Sequence, residues 1–98
     1  LASGVLVLAR GHSPTVAPYL VPRLPNGWAD LVFIDADHSY DGVLADIRAY
    51  VPLVRPGGIL AGHDYTTDVH PGVRRAVDDH FGGRAEQGPG SIWWIRCE

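Results

Sequence analysis

The stretch Asp30-Leu31-Val32-Phe33-Ile34-Asp35-Ala36-Asp37-His38-Ser39-Tyr40-Asp41-Gly42-Val43-Leu44-Ala45-Asp46 changes its hydrophobic period halfway through. Leu31 to Ile34 is a continuous apolar run, the pattern of a strand buried on both faces. Beyond Ser39 the apolar residues Val43, Leu44, Ile47, Tyr50 and Val51 recur at spacings of three and four, which is one stripe of a helix. Ser39 has the type and place of a helix cap. Between strand and helix sits a compact polar cluster, Asp35 to His38.

The same alternation extends outward in both directions. Upstream, Val5 to Ala9 reads as a short buried strand, and Pro14 to Leu20 as a short helix capped by Ser13. Downstream, Pro52 distorts the end of the central helix and Pro56-Gly57-Gly58 stops it. Ile59-Leu60-Ala61 is a third strand. Val69, Val73, Val77 and Phe81 form the stripe of a third helix, with Pro71 near its first turn and Gly82-Gly83 at its end. Ser91 to Arg96 is a last strand, in which the adjacent Trp93 and Trp94 face opposite sides and serve the core or an interface. Strands alternating with helices give a mostly parallel sheet with right-handed crossovers. Such sheets bind ligands beyond the carboxyl ends of their strands. Those ends carry Arg10-Gly11-His12-Ser13, Asp35-Ala36-Asp37-His38 and Gly62-His63-Asp64-Tyr65. The opposite edge is rich in Pro and Gly and nearly free of His and carboxylates.

Composition narrows the function. The chain has 98 residues, read as one domain over 1–98, with 46% hydrophobic residues and a net charge of -3. No basic run exceeds Arg74-Arg75, which speaks against a nucleic-acid partner. One cysteine, Cys97, excludes a disulfide framework and suits a reducing, cytoplasmic interior. No apolar run is long enough to span a membrane. There is no methionine, which suggests a piece of a longer chain, and all eight basic residues are arginine.

If the second and third strands are neighbours, Asp35, His63 and Asp64 converge. Two carboxylates and an imidazole suit a hard divalent cation, magnesium or manganese rather than zinc. His38 then stands as a general base for a substrate hydroxyl. Asp37 is read as a helix cap, Asp41 and Asp46 as solvated helix-face residues, and His12 and His70 as surface histidines. His80 lies near a helix C-terminus, where a positive charge is favoured.

Four segments resemble the class I S-adenosylmethionine-dependent methyltransferases, in particular metal-dependent O-methyltransferases. These are Asp30 to Asp46, Leu53 to Tyr65, Pro71 to Asp78 and Ile92 to Arg96. The resemblance implies a partial Rossmann-like α/β fold of three layers, with a mostly parallel sheet and an antiparallel last strand. It implies methyl transfer from S-adenosylmethionine to a small-molecule acceptor, with Mg2+ as the metal and room for a homo-oligomer. By position it makes Asp35 and Asp64 metal ligands, and His63 a third ligand where the family usually has an acid. His38 falls at the place of the catechol type's general base, and His12, Ser13 and Asp35 on the cofactor. The family's first two strands and glycine-rich cofactor loop would lie upstream of Leu1. The first strand here then corresponds to one that the family keeps at a sheet edge. It must leave a gap or shift, and weak cofactor binding by the chain alone is expected.

Two other readings compete. An apolar strand followed by Asp35-Ala36-Asp37 also resembles the haloacid-dehalogenase phosphatases, with Asp35 as nucleophile, but that family needs a lysine and this chain has none. The third reading is a non-catalytic fragment.

Overall fold

Leu31 to Ile34 forms the strand that its apolar run predicts. In the computed structural model, which describes residues 4–8, 25–34, 38–66 and 69–98, it belongs to β2, Ala29–Ile34. β1 is Gly4–Leu8, β3 is Val54–Gly62, β4 is Glu86–Gln87 and β5 is Trp93–Arg96. They make one five-stranded sheet in the order β1-β2-β3-β5-β4. β1, β2 and β3 are parallel, while β5 runs antiparallel to β3 and to β4. The mostly parallel sheet with an antiparallel last strand is therefore observed.

No gap separates the first strand from the second. β1 pairs directly with β2, with Val5 to Leu8 opposite Leu31 to Ile34. A parallel ladder asks for backbone donors and acceptors in the right direction, and any apolar extended segment supplies them.

β3 starts earlier than its apolar residues indicate. Val54 pairs with Ala29 and Ile59 with Leu31, so the segment between them bulges out of the ladder. Pro56-Gly57-Gly58 is thus an interruption inside a strand, not a stop before one. Gly57 has φ 86°, and its N–H donates to the Cys97 carbonyl at 2.6 Å. The Cys97 N–H returns a bond to the Gly58 carbonyl at 2.8 Å. β4 has two exposed polar residues and no hydrophobic pattern to announce it; it exists through its pairing with Trp93 and Trp94.

Two helices follow the parallel strands. α1, Tyr40–Tyr50, begins where Ser39 accepts a bond from the Gly42 N–H at 3.0 Å. Pro52 falls in a short 3-10 turn, Val51–Leu53, beyond its end. α2, Pro71–Phe81, has Pro at its first position and closes on Gly82 in the left-handed conformation, φ 62°. Ile47 and Tyr50 of α1, Val73 and Val77 of α2, and Val32 and Leu60 of the sheet are all buried in one cluster. Each such side chain stabilises the fold by about 1.5–3 kcal/mol relative to exposure. Trp93 is 1% exposed in the same cluster, while its neighbour Trp94 is half-buried, as the alternation of a strand requires. The sheet and this helix pair are two of the three expected layers. The Pro14 to Leu20 helix lies outside the described residues.

Three helix assignments change. Val69 is 76% exposed and precedes α2, although its spacing from Val73 matches the stripe. Asp46 is 4% exposed, not solvated. It lies three residues after Val43 and four before Tyr50, on the inward face of α1. His80 does sit in the last turn of α2, but burial, and then Arg48 and Arg84, push its pKa below 6.5. Burial first, and the two guanidiniums after it, oppose the charge that the helix end would favour.

Candidate functional site

The ladder between β2 and β3 ends with Ile34 opposite Gly62, and the His63 N–H donates to the Ile34 carbonyl at 3.3 Å. Ile34 and Gly62, the last strand residues before the two polar clusters, therefore lie side by side, as the strand-neighbour argument requires. His38 approaches from the start of α1, and His63 and Asp64 from the end of β3.

Gly62 makes room at this point. A Cβ on it would come within 2.4 Å of the Trp93 indole nitrogen, so only glycine lets β3 cross that ring. Asp64 has φ 64°, a left-handed conformation that Asp and Asn tolerate better than most residues. This turn brings its carboxylate back towards α1.

The result is a carboxylate between two imidazoles. His38 Nε2 lies 2.6 Å from Asp64 Oδ2, and His63 Nδ1 lies 3.2 Å from Asp64 Oδ1. His38 and Asp64 are well covered, while the His63 side chain is 39% exposed. At 2.6 Å the imidazole and the carboxylate form an ion pair when the imidazole is protonated.

A third histidine joins them. His70 stacks on His38, with ring centroids 3.7 Å apart and planes 16° from parallel. It was expected as a surface residue. It is half-buried instead, because the residue before Pro71 is also the residue where α2 meets the α1 entry. Sequence distance hides that contact, and a histidine five residues after the Gly62 to Tyr65 cluster was the one available signal.

Of the expected site residues, His38, His63 and Asp64 are brought together. Asp35, Asp37, His12 and Ser13 lie outside the described residues. Among the described residues, no group of three or more His, Cys, Asp or Glu side chains is arranged to hold a metal ion. Both Asp64 oxygens face imidazoles. Of the expected Mg2+ donors, His63 and Asp64 lie among the described residues and Asp35 does not.

Tyr65 and Tyr40 flank the site. The Tyr65 hydroxyl donates to Asp78 Oδ1 at 2.6 Å, and the Tyr40 hydroxyl to Asp79 Oδ2 at 2.8 Å. Burial, then the bond to Asp78, raises the Tyr65 pKa; the bond to Asp79 is the main cause that raises Tyr40. Both phenols are held as donors, not as bases. Among the described residues no helix is long and apolar enough to cross a membrane.

A Rossmann-like sheet with its polar cluster at the carboxyl edge defines a ligand-binding α/β protein. The comparisons with known proteins narrow this class. The family model described as a methyltransferase domain matches residues 2–65. The chain belongs to that family, the class I S-adenosylmethionine-dependent methyltransferases. An uncharacterized protein, R132, of Acanthamoeba polyphaga mimivirus is 36% identical over 70 residues, 66% of this chain and 31% of that protein. A crystal structure of a Corynebacterium glutamicum protein matches with TM-score 0.57 and 23% identity, over 79% of this chain and 42% of that one. The apo structure of CalS11, a TDP-rhamnose 3'-O-methyltransferase of calicheamicin biosynthesis, matches with TM-score 0.62 and 21% identity, over 91% and 39%. The chain thus spans about a third of the curated relative and about two-fifths of these structures. The family match covers the Asp35-Ala36-Asp37 run and sets the phosphatase reading aside.

Proposed function

We propose that this chain carries the proton-transfer half of an S-adenosylmethionine-dependent O-methyltransferase acting on a small-molecule hydroxyl, with His38 as general base. The observation that supports it is the 2.6 Å approach of His38 Nε2 to Asp64 Oδ2 at the carboxyl edge of the sheet. In the tautomer that carries its proton on Nε2, beside Asp64, Nδ1 is the basic atom. A carboxylate behind an imidazole fixes its tautomer and stabilises the imidazolium that forms. S-adenosylmethionine, when bound, supplies an electrophilic methyl group on a sulfonium. The acceptor oxygen gives its proton to His38 Nδ1 as it bonds the methyl carbon, and the carbon–sulfur bond breaks. Sugar hydroxyls are the acceptors to test first, because CalS11 is by its name a sugar O-methyltransferase.

The test is methyl transfer from labelled S-adenosylmethionine to TDP-rhamnose and to catechol, by the protein and by its His38→Ala and Asp64→Asn variants. Loss of a general base costs about 10²–10⁴-fold in kcat. Turnover by His38→Ala within about threefold of the parent would refute the reading. Added Mg2+ and EDTA in the same assay examine the expected cation at Asp35, His63 and Asp64 separately from the base.

A further inference from the structure

Helix α2 makes a set of contacts that proton transfer does not require. At its N-terminus His70 lies flat on His38. One turn further, the same clamp is built twice. The Tyr65 hydroxyl bonds Asp78, and the Arg74 guanidinium lies over the Tyr65 ring, 5.1 Å from its centroid. The Tyr40 hydroxyl bonds Asp79, and Arg75 lies over the Tyr40 ring at 4.8 Å. Arg74 also approaches Asp78 at 3.5 Å. Tyr40 follows His38 by two residues, and Tyr65 follows Asp64 directly. Consecutive positions on one helix therefore hold the start of α1 and the loop after β3.

Gly72 permits this close docking. A Cβ there would lie 2.7 Å from the Tyr40 nitrogen and 3.2 Å from its Cα, both backbone atoms that cannot swing away.

We propose that α2 is a positioning element for the His38–Asp64 pair, with His70 setting the plane of the His38 ring. The proposal rests on the reading of His38 as the base. A contact at Nε2 fixes one point of the imidazole and leaves the ring free to rock about it. A parallel ring at 3.7 Å blocks that rocking, so the stack and the carboxylate together fix the direction of Nδ1. Direction is what proton transfer needs, since misplacement of about 1 Å costs up to ~10²-fold.

Imidazole NMR of the protein provides a readout apart from activity. The His38 ring protons are assigned in the parent, in His70→Ala and in His70→Phe. The stacked ring shields them, so His70→Ala is expected to move them downfield and His70→Phe to hold them near the parent position. With TDP-rhamnose as probe acceptor, His70→Ala is expected to lower kcat about tenfold at unchanged KM, and His70→Phe to recover it. Unmoved His38 resonances in a folded His70→Ala protein would overturn the proposal. So would a His70→Phe variant as impaired as His70→Ala. If the resonances move as expected while His38→Ala keeps full turnover, the base reading fails and the ring-positioning contact stands.

Discussion

Gly62→Ala is the sharpest test of the packing that carries the site. The added methyl carbon would stand 2.4, 2.6 and 2.7 Å from Nε1, Cε2 and Cζ2 of Trp93, where ordinary contact begins at 3.4 Å. The difference between 3.4 and 2.4 Å means a displacement of about 1 Å in a close-packed interior. Neither partner yields readily. Gly62 is locked between β2 and β5, and Trp93 is 1% exposed with Phe81 against it, ring centroids 6.2 Å apart. Overpacking of this kind costs about 1–3 kcal/mol. For a domain of this size each kcal/mol lowers Tm by roughly 4–8 °C. Urea and thermal unfolding of the protein, Gly62→Ala, Trp93→Phe and the double variant would measure it. Phe lacks the indole nitrogen and the fused ring that carries Cζ2, so the double variant should be more stable than the sum of the singles by at least about 0.5 kcal/mol. Strictly additive effects, or a Gly62→Ala protein as stable as the parent, would refute the argument.

Three further outcomes follow from smaller features. Ser39→Ala should cost about 1 kcal/mol by uncapping α1, and Ser39→Asp should restore most of it, read from urea midpoints. His80 has a pKa held below 6.5 by burial, Arg48 and Arg84, so the unfolded chain binds its proton first as pH falls. Its contribution is complete above about pH 6.5 and is lost as pH drops towards the folded pKa; the effect is small because the ring is partly exposed. Unfolding series from about pH 7.5 to 5 should therefore be flatter for His80→Asn than for the parent, and identical slopes would contradict this. Arg55 and Asp30 form an exposed ion pair across β2 and β3, and Asp30→Asn should change stability by less than about 1 kcal/mol, with the difference fading in salt.

The strand at Leu31 to Ile34 and the helix after Ser39 were legible because each obeys one period over its whole length. So was the arrival of the loops after β2 and β3 side by side, which follows from two parallel strands ending at the same level, whereas the pairing of His38 with Asp64 was not foreseen. What the sequence concealed was set by tertiary contact. The β4 ladder is two polar residues that pair only because Trp93 and Trp94 are there. Asp46 looks solvated by type, yet sits at the α1 angle that faces inward. His70 has no local sign of stacking on a ring thirty-two residues earlier in the chain. The direct pairing of β1 with β2 was open between two outcomes, because a ladder of backbone bonds reads direction and not side-chain identity.

The left-handed turn at Asp64 gives this position two independent filters. A replacement must satisfy the imidazoles around it and must also accept a backbone that β-branched residues resist. Asn and Gly pass the second filter and fail the first; Glu meets the charge demand but strains the turn. Among descendants of this chain, a shift to Asn or Gly at residue 64 would therefore signal lost chemistry in a loop that still folds, whereas Val or Ile would signal that the loop itself has been rebuilt.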